Sequence, residues 1–262
     1  MKTFEFLSYE IENHIAVLTI SRPPVNALNR GLVSEIGRAA ERIEQDGNDN
    51  KIHAAVFTAE GKYFCAGADL KERMDMPEAE VGPTVRNIGE SMNKIAQISV
   101  PTIAALQGSA MGGGFEVALA ADIRVIVDSA EVGLRETALA ILPAAGGTQR
   151  LTRLVGPSNA ILWITTARLF SAQEALRQGA VNQVVESSQL MPTALAIARE
   201  IAQNGPLAVR QAKRAILSGL DVGIQKGLQT EFECYQNIIP TRDRREGLQA
   251  FKEKRPPRYE GK

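Results

Sequence analysis

The chain has 262 residues, 44% of them hydrophobic and 23% charged, an ordinary globular composition that can bury a sizeable core as one large domain or a domain with an appended helical piece. Its 30 basic residues balance its 30 acidic ones, so no global field marks it for nucleic acid or a membrane surface. Apolar stretches are interrupted by charges or glycines well short of the ~18 residues of a membrane span, and Cys65 and Cys234, far apart and without Cys-x-x-Cys spacing, fit reduced buried thiols in a cytoplasmic setting.

In chain order, the opening Met1-Lys2-Thr3-Phe4-Glu5-Phe6 carries acid and polar residues where a secretion leader needs an apolar run. Residues 17–20 read as a short buried strand, in a run opened by His14. Residues 30–44 read as a helix: Leu32, Ile36, Ala39, Ala40 and Ile43 form an apolar stripe opposite Arg38, Glu41 and Arg42, behind Asn29 as N-cap. The next strand covers 54–58, with His53 inside the same run. These are the only two histidines, so both are expected in structural roles, and a histidine metal site or catalytic triad has almost no material.

Phe64-Cys65-Ala66-Gly67-Ala68-Asp69-Leu70-Lys71 follows as a small-residue turn before a helix capped by Asp69. Strands over 102–106 and 123–127 flank a second such turn, Gly112-Gly113-Gly114, which feeds a helix carrying Glu116. Glu136 precedes the run Ile141-Leu142-Pro143-Ala144-Ala145-Gly146-Gly147-Thr148. That segment lacks the Gly-x-x-x-x-Gly-Lys-Ser/Thr spacing of a nucleotide-triphosphate loop and reads as another glycine-fed helix start near the same pocket. From Ser188 the pattern is purely helical, over 190–203, 206–217, 223–236 and 242–252, with Pro206 at a first helical position and Gly219 at a helix terminus. Alternating strands and helices indicate an α/β core over residues 1–187, followed by a helical region over 188–262 expected to serve oligomerisation.

The chemistry-bearing features converge on the glycine turns. Two bare turns offer two backbone donors, one near Ala68 and one near Gly113, as an oxyanion hole requires, and the helix start after Gly113 adds a favourable partial charge. Residues three apart share a helix face, so Glu116 stands one turn above the Gly113 amide and aims at the same volume. Within Gly-Gly-Phe-Glu-Val-Ala-Leu-Ala no basic neighbour is offered to Glu116. A second carboxylate beside it, from Glu136, would raise the proton affinity of the pair toward neutrality. Taken singly, each feature also fits a bland role: a tight turn, a helix-dipole complement at Glu116, a surface ion-pair partner at Glu136.

The stretch Gly108-Ser109-Ala110-Met111-Gly112-Gly113-Gly114-Phe115-Glu116, the turn from Phe64 to Lys71 and the run Leu142-Pro143-Ala144-Ala145-Gly146-Gly147-Thr148-Gln149-Arg150-Leu151 together resemble the enoyl-CoA hydratase/isomerase (crotonase) family. The resemblance continues to the C-terminus through Asp243-Arg244-Arg245-Glu246-Gly247 and Ala250-Phe251-Lys252-Glu253-Lys254-Arg255. It implies an α/β, crotonase-like core of repeated ββα units, a C-terminal helical trimerisation region, and a homo-oligomer that is a trimer or a dimer of trimers. It further implies that the Ala68 and Gly113 amides hold the thioester oxygen of an acyl-CoA and that Glu116 and Glu136 are the catalytic pair of a hydratase.

Val25, Ala66, Asp69, Leu70, Lys71 and Lys254 are the implied substrate and CoA contacts. Coenzyme A enters as part of the substrate, with no separate cofactor and no metal. One departure is the loop Arg22-Pro23-Pro24-Val25-Asn26-Ala27, where many hydratases carry a lysine; only the Val25 backbone remains to meet the nucleotide. The tail 246–259, with Lys71-Glu72-Arg73 and Glu80-Val81-Gly82-Pro83, looks closest to the methylglutaconyl-CoA hydratase branch. The rival activity is a Δ3,Δ2-enoyl-CoA isomerase, which can manage with one glutamate. The rival class is an RNA-binding protein, against which Arg30, Arg38 and Arg42 are nearly cancelled by Glu35, Glu41 and Glu44. The acyl group stays open, with Met74, Met76, residues 81–88, Leu134 and Arg135 as candidate walls; Arg135 is either structural or a partner for a second substrate carboxylate.

Overall fold

A computed structural model describes residues 4–262; Met1, Lys2 and Thr3, part of the segment read above for a leader, lie outside the described residues. The elements are β1 (Leu7–Glu12), β2 (Ile15–Ile20), α1 (Arg30–Asn48), β3 (Ala54–Ala59), β4 (Tyr63–Cys65), α2 (Leu70–Met74) and α3 (Glu78–Ala96). Then come β5 (Thr102–Leu106), β6 (Ser109–Met111), α4 (Gly113–Ala120), β7 (Ile123–Val127), β8 (Glu131–Gly133), a 3₁₀ turn (Glu136–Leu139) and α5 (Gly147–Thr166). The chain closes with β9 (Phe170–Ser171), α6 (Ala172–Arg177), β10 (Gln183–Val185), α7 (Leu190–Ala202), α8 (Pro206–Leu220), α9 (Ile224–Ile238) and α10 (Arg242–Glu253).

Two sheets carry the strands, in the orders β1-β2-β3-β5-β7-β10 and β4-β6-β8-β9. In the larger sheet β2 through β10 run parallel and β1 joins antiparallel. Ala54–Ala59 and Thr102–Leu106 are buried at every position, as parallel strands covered on both faces must be. In each pair β3-β4, β5-β6 and β7-β8 the first strand enters the large sheet and the second the small one, and a helix follows. These are the ββα repeats that the resemblance implies, and they place three strand-to-helix turns side by side, because β4, β6 and β8 are parallel neighbours.

Several expectations are corrected. Neither histidine lies in a strand: Asn13 and His14 form the two-residue turn between β1 and β2, with φ of 51° and 62°, the double positive φ that matches a hairpin's twist. His53 precedes β3, and the two rings stack at 4.5 Å. The helical region from Ser188 begins with α7, which packs on β3, β5 and β7 and buries Leu190, Ala194 and Ala198 in the main core, so the packing changes after Ala202. Gly219 falls at the C-terminal end of α8, as expected, one residue before Leu220; a Cβ there would lie 3.9 Å from the Gly227 α-carbon, and the two glycines let α8 and α9 approach closely. α8, α9 and α10 leave Ile216, Leu220, Ile224, Leu228, Phe232 and Phe251 exposed.

Candidate active site

The first turn is drawn tight by its neighbours. Val25 O accepts from Ala66 N at 3.0 Å, Gly67 O accepts from Leu28 N at 2.8 Å, and Leu28 O accepts from Asp69 N at 3.0 Å. Among the described residues this leaves the Gly67 and Ala68 amides without a backbone acceptor; Gly67 N donates to the Cys65 thiol, which leaves Ala68 N for a ligand. Asp69 caps α2 by accepting from the Lys71 and Glu72 amides, and Arg22 pairs with it at 2.8 Å. Gly67 has φ +95°, and a Cβ there would come within 2.8 Å of Met111 O; only glycine lets this turn lie against the next one.

The second turn starts at Gly112, with φ +51°, anchored by donation of its amide to Gly133 O at 2.8 Å. Gly113 opens α4, so its amide is one of the donors a helix leaves unused. A Cβ built on Gly113 would lie 3.9 Å from Ala68 N and 3.9 Å from Glu116 Oε2. Both amides and one carboxylate oxygen therefore border the same small volume.

Glu116 is only 3% exposed. Its Oε1 accepts from the Ala145 and Gly147 amides, each at 2.8 Å, which leaves Oε2 for the Gly113 side. Burial pushes its carboxyl pKa up, while those two amides and the Arg150 charge pull the other way. Glu136 arrives from the opposite side, on the 3₁₀ turn after β8; a Cβ on Gly112 would lie 2.8 Å from its Oε1. Its Oε2 is buried without a hydrogen-bond partner among the described residues. Burial, reinforced by the Glu116 charge, pushes Glu136 up to about 7. Two carboxylates with different environments thus flank one glycine turn, the arrangement that separates a base from an acid.

The enoyl-CoA hydratase/isomerase family model matches residues 10–262. The chain belongs to that family. It is 47% identical over 259 residues to the human mitochondrial methylglutaconyl-CoA hydratase, covering 96% of this chain and 76% of that protein. It is 46% identical over 254 residues to the human mitochondrial enoyl-CoA hydratase domain-containing protein 2, covering 95% and 86%. The crystal structure of an enoyl-CoA hydratase from Bacillus anthracis superposes with a TM-score of 0.95 at 44% identity, covering 98% of this chain and 100% of that one.

Within this family fold, Val25, Ala66, Ala68, Asp69, Gly113, Glu116 and Glu136 meet around the two turns. Leu70 and Lys71 follow on the exposed first turn of α2. Lys254 stands apart, as the left-handed C-cap of α10, a helix without substantial packing on β4 or α2. The run around Glu116 offers it no basic neighbour, but the fold does: Arg150 of α5 acts on it from 34 positions along the chain, a distance over which helix periodicity carries no information. The Ala145 and Gly147 amides are the other members that sequence reasoning missed; the paired glycines 146 and 147 were their signal. Cys65 is fully buried, its thiol pushed up to about 12 by that burial, so it packs rather than reacts. No helix among the described residues is long and apolar enough to cross a membrane.

Proposed function

We propose that the protein is an enoyl-CoA hydratase that adds water across the 2,3 double bond of a 2-enoyl-CoA thioester. The observation that carries this reading is the pairing of Glu116 and Glu136 beside two convergent unused amides. The thioester oxygen binds between the Ala68 and Gly113 N–H groups, which stabilise the enolate charge that develops there; one such donor is worth roughly 10²–10³ in turnover. Water held between the carboxylates attacks the β-carbon. Glu116, its proton affinity raised by burial against the pull of two amides and the Arg150 charge, takes a proton from that water. Glu136, protonated up to about pH 7, delivers its proton to the α-carbon. A proton then passes from Glu116 to Glu136 to reset the pair.

Lys71 and Lys254 are proposed contacts for the CoA phosphates or adenine, the Val25 backbone for the nucleotide, and Ala66, Asp69 and Leu70 for the substrate or its CoA. No cofactor beyond the substrate's own CoA is required. The exposed apolar face of α8 to α10 supports a homo-oligomer, a trimer or a dimer of trimers, because side chains such as Phe232 at 60% and Phe251 at 87% exposure are costly to leave in water. A cytoplasmic site fits two reduced, buried cysteines. The likeness to methylglutaconyl-CoA hydratase makes a carboxylated branched enoyl-CoA the first acyl group to test. RNA binding is disfavoured because the α1 arginines are engaged: Arg30 with Glu72 and Glu80, Arg38 with Glu35, Arg42 with Asp46.

The test is loss of the enoyl-thioester absorbance with crotonyl-CoA and methylglutaconyl-CoA. A positioned acid or base contributes roughly 10²–10⁴, so Glu116→Gln with Glu136→Gln should nearly abolish hydration. Near-wild-type turnover in that double variant would overturn the mechanism. Growth of the absorbance from a 3-enoyl-CoA, without hydration of the 2-enoyl compound, would make the protein an isomerase instead.

A further inference from the structure

Arg150 is a half-buried cation with no carboxylate in salt-bridge contact among the described residues. Its guanidinium lies over Gly146, where any Cβ would collide with Nη1. Nη1 donates to Ala145 O at 2.9 Å and Nη2 donates to Asn93 Oδ1 of α3 at 2.6 Å. One helical turn earlier on α3, a Cβ on Gly89 would lie 3.4 Å from Ala144 O, so α3 and the 144–147 turn are in contact at two successive levels. That turn supplies the Ala145 and Gly147 amides that grip Glu116 Oε1.

We propose that Arg150 is a positioning residue for Glu116: through Ala145 O and Asn93 it clamps the turn whose amides hold the carboxylate, and its cation balances the Glu116 charge inside the buried site. This rests on the two-glutamate hydratase reading. The charged groups facing Glu116 are Glu136 from the 3₁₀ turn and Arg150 from α5. β4 meets α4 through the Cys65 carbonyl and Cβ, against Gly114, and α3 turns its Lys94 to Glu41 of α1. Arg150 is thus the counter-charge to Glu116, and its removal raises the Glu116 proton affinity. Asn93 links this clamp to α3, whose outer face is open to solvent.

The test is the pH profile of hydration for wild type, Arg150→Met, Arg150→Lys and Asn93→Ala, with isotope-edited infrared spectroscopy of the Glu116 carboxyl, assigned through Glu116→Gln. Arg150→Met should lower kcat roughly 10²-fold and move the acid limb and the Glu116 infrared midpoint up by about one pH unit, a tenfold change in proton affinity. Arg150→Lys should restore the limb but not the full kcat, because an ammonium cannot span Ala145 O and Asn93 Oδ1 with a planar fork. Asn93→Ala should lower kcat several-fold with the limb in place. An unmoved limb and midpoint in Arg150→Met, or wild-type kcat in Asn93→Ala, would overturn the proposal. If the wild type hydrates no enoyl-CoA, the hydratase reading fails and the infrared midpoint still decides the role of Arg150. If Glu116→Gln abolishes hydration while the Arg150 variants behave as wild type, only the role of Arg150 fails.

Discussion

Replacing Glu136 by glutamine should make the protein more stable at alkaline pH while removing its activity. Glu136 titrates near 7 in the folded protein against an ordinary value of 4.5, because burial and the Glu116 charge disfavour its ionised form. The sign follows from linkage: the folded state binds this proton more tightly, so the protein keeps its full stability below pH 4.5 and loses stability as pH rises toward and through 7. The full shift of about 2.5 units corresponds to about 3 kcal/mol, and between pH 5 and pH 8 about 2.5 kcal/mol of it is expressed.

Glutamine does not titrate, so the stability difference between Glu136→Gln and wild type should grow by about 2.5 kcal/mol over that interval. The glutamine amide, placed where Oε2 has no hydrogen-bond partner among the described residues, costs about 1–3 kcal/mol, but that cost is the same at both pH values and cancels in the comparison. Urea unfolding of both proteins at pH 5 and pH 8, at one protein concentration, reads the difference. In a Glu116→Gln background the pH-dependent gain should shrink, since the second cause of the shift has been removed. A stability difference that is equal at pH 5 and pH 8 would refute the reasoning.

Three further outcomes are expected. Gly112→Ala imposes a side chain at φ +51° and 2.8 Å from Glu136 Oε1; a misplacement of this kind costs about 10²-fold in turnover, readable in kcat with circular dichroism unchanged. Arg124, only 2% exposed, donates to the carbonyls of Ala118, Ala121 and Asp122 at the end of the helix that carries Glu116, and to that of Ala180 after α6. Arg124→Met leaves those carbonyls short of a donor and should therefore cost about 1–3 kcal/mol in urea unfolding. Phe232→Asp, on the exposed face of α9, should reduce the assembly size in sedimentation while the monomer keeps its helical signal.

Local chemistry made part of the site legible without coordinates. Glu116 lies three positions after Gly113 in a helix, and that spacing alone puts the carboxylate over the amide. Asn29 and Asp69 announce the starts of α1 and α2 by their capping chemistry, and the long apolar runs announce β2, β3, β5 and β7. Where order extends over only three residues, as in β4, β6 and β8, alternation is too short to register; these strands exist because each pairs with the next. α3 is absent from the sequence reading, where Gly82 and Pro83 are poor helix formers, yet the helix continues through Pro83 with Ile88, Met92 and Ile95 buried toward the core.

The sequence by itself determined the alternation of strands and helices, the two glycine turns, the membership of a family and the identity of the carboxylates, because each of these is written in contiguous residues. Only the tertiary structure decided how those carboxylates differ. The parallel pairing of β4, β6 and β8 brings Gly67, Gly112 and the turn after Gly133 to one edge, and α5 delivers the Gly147 amide and Arg150 to Glu116 while leaving Glu136 Oε2 unpartnered. Proton affinity depends on burial and on charges a few ångströms away, and those distances are created by packing between elements that lie far apart along the chain.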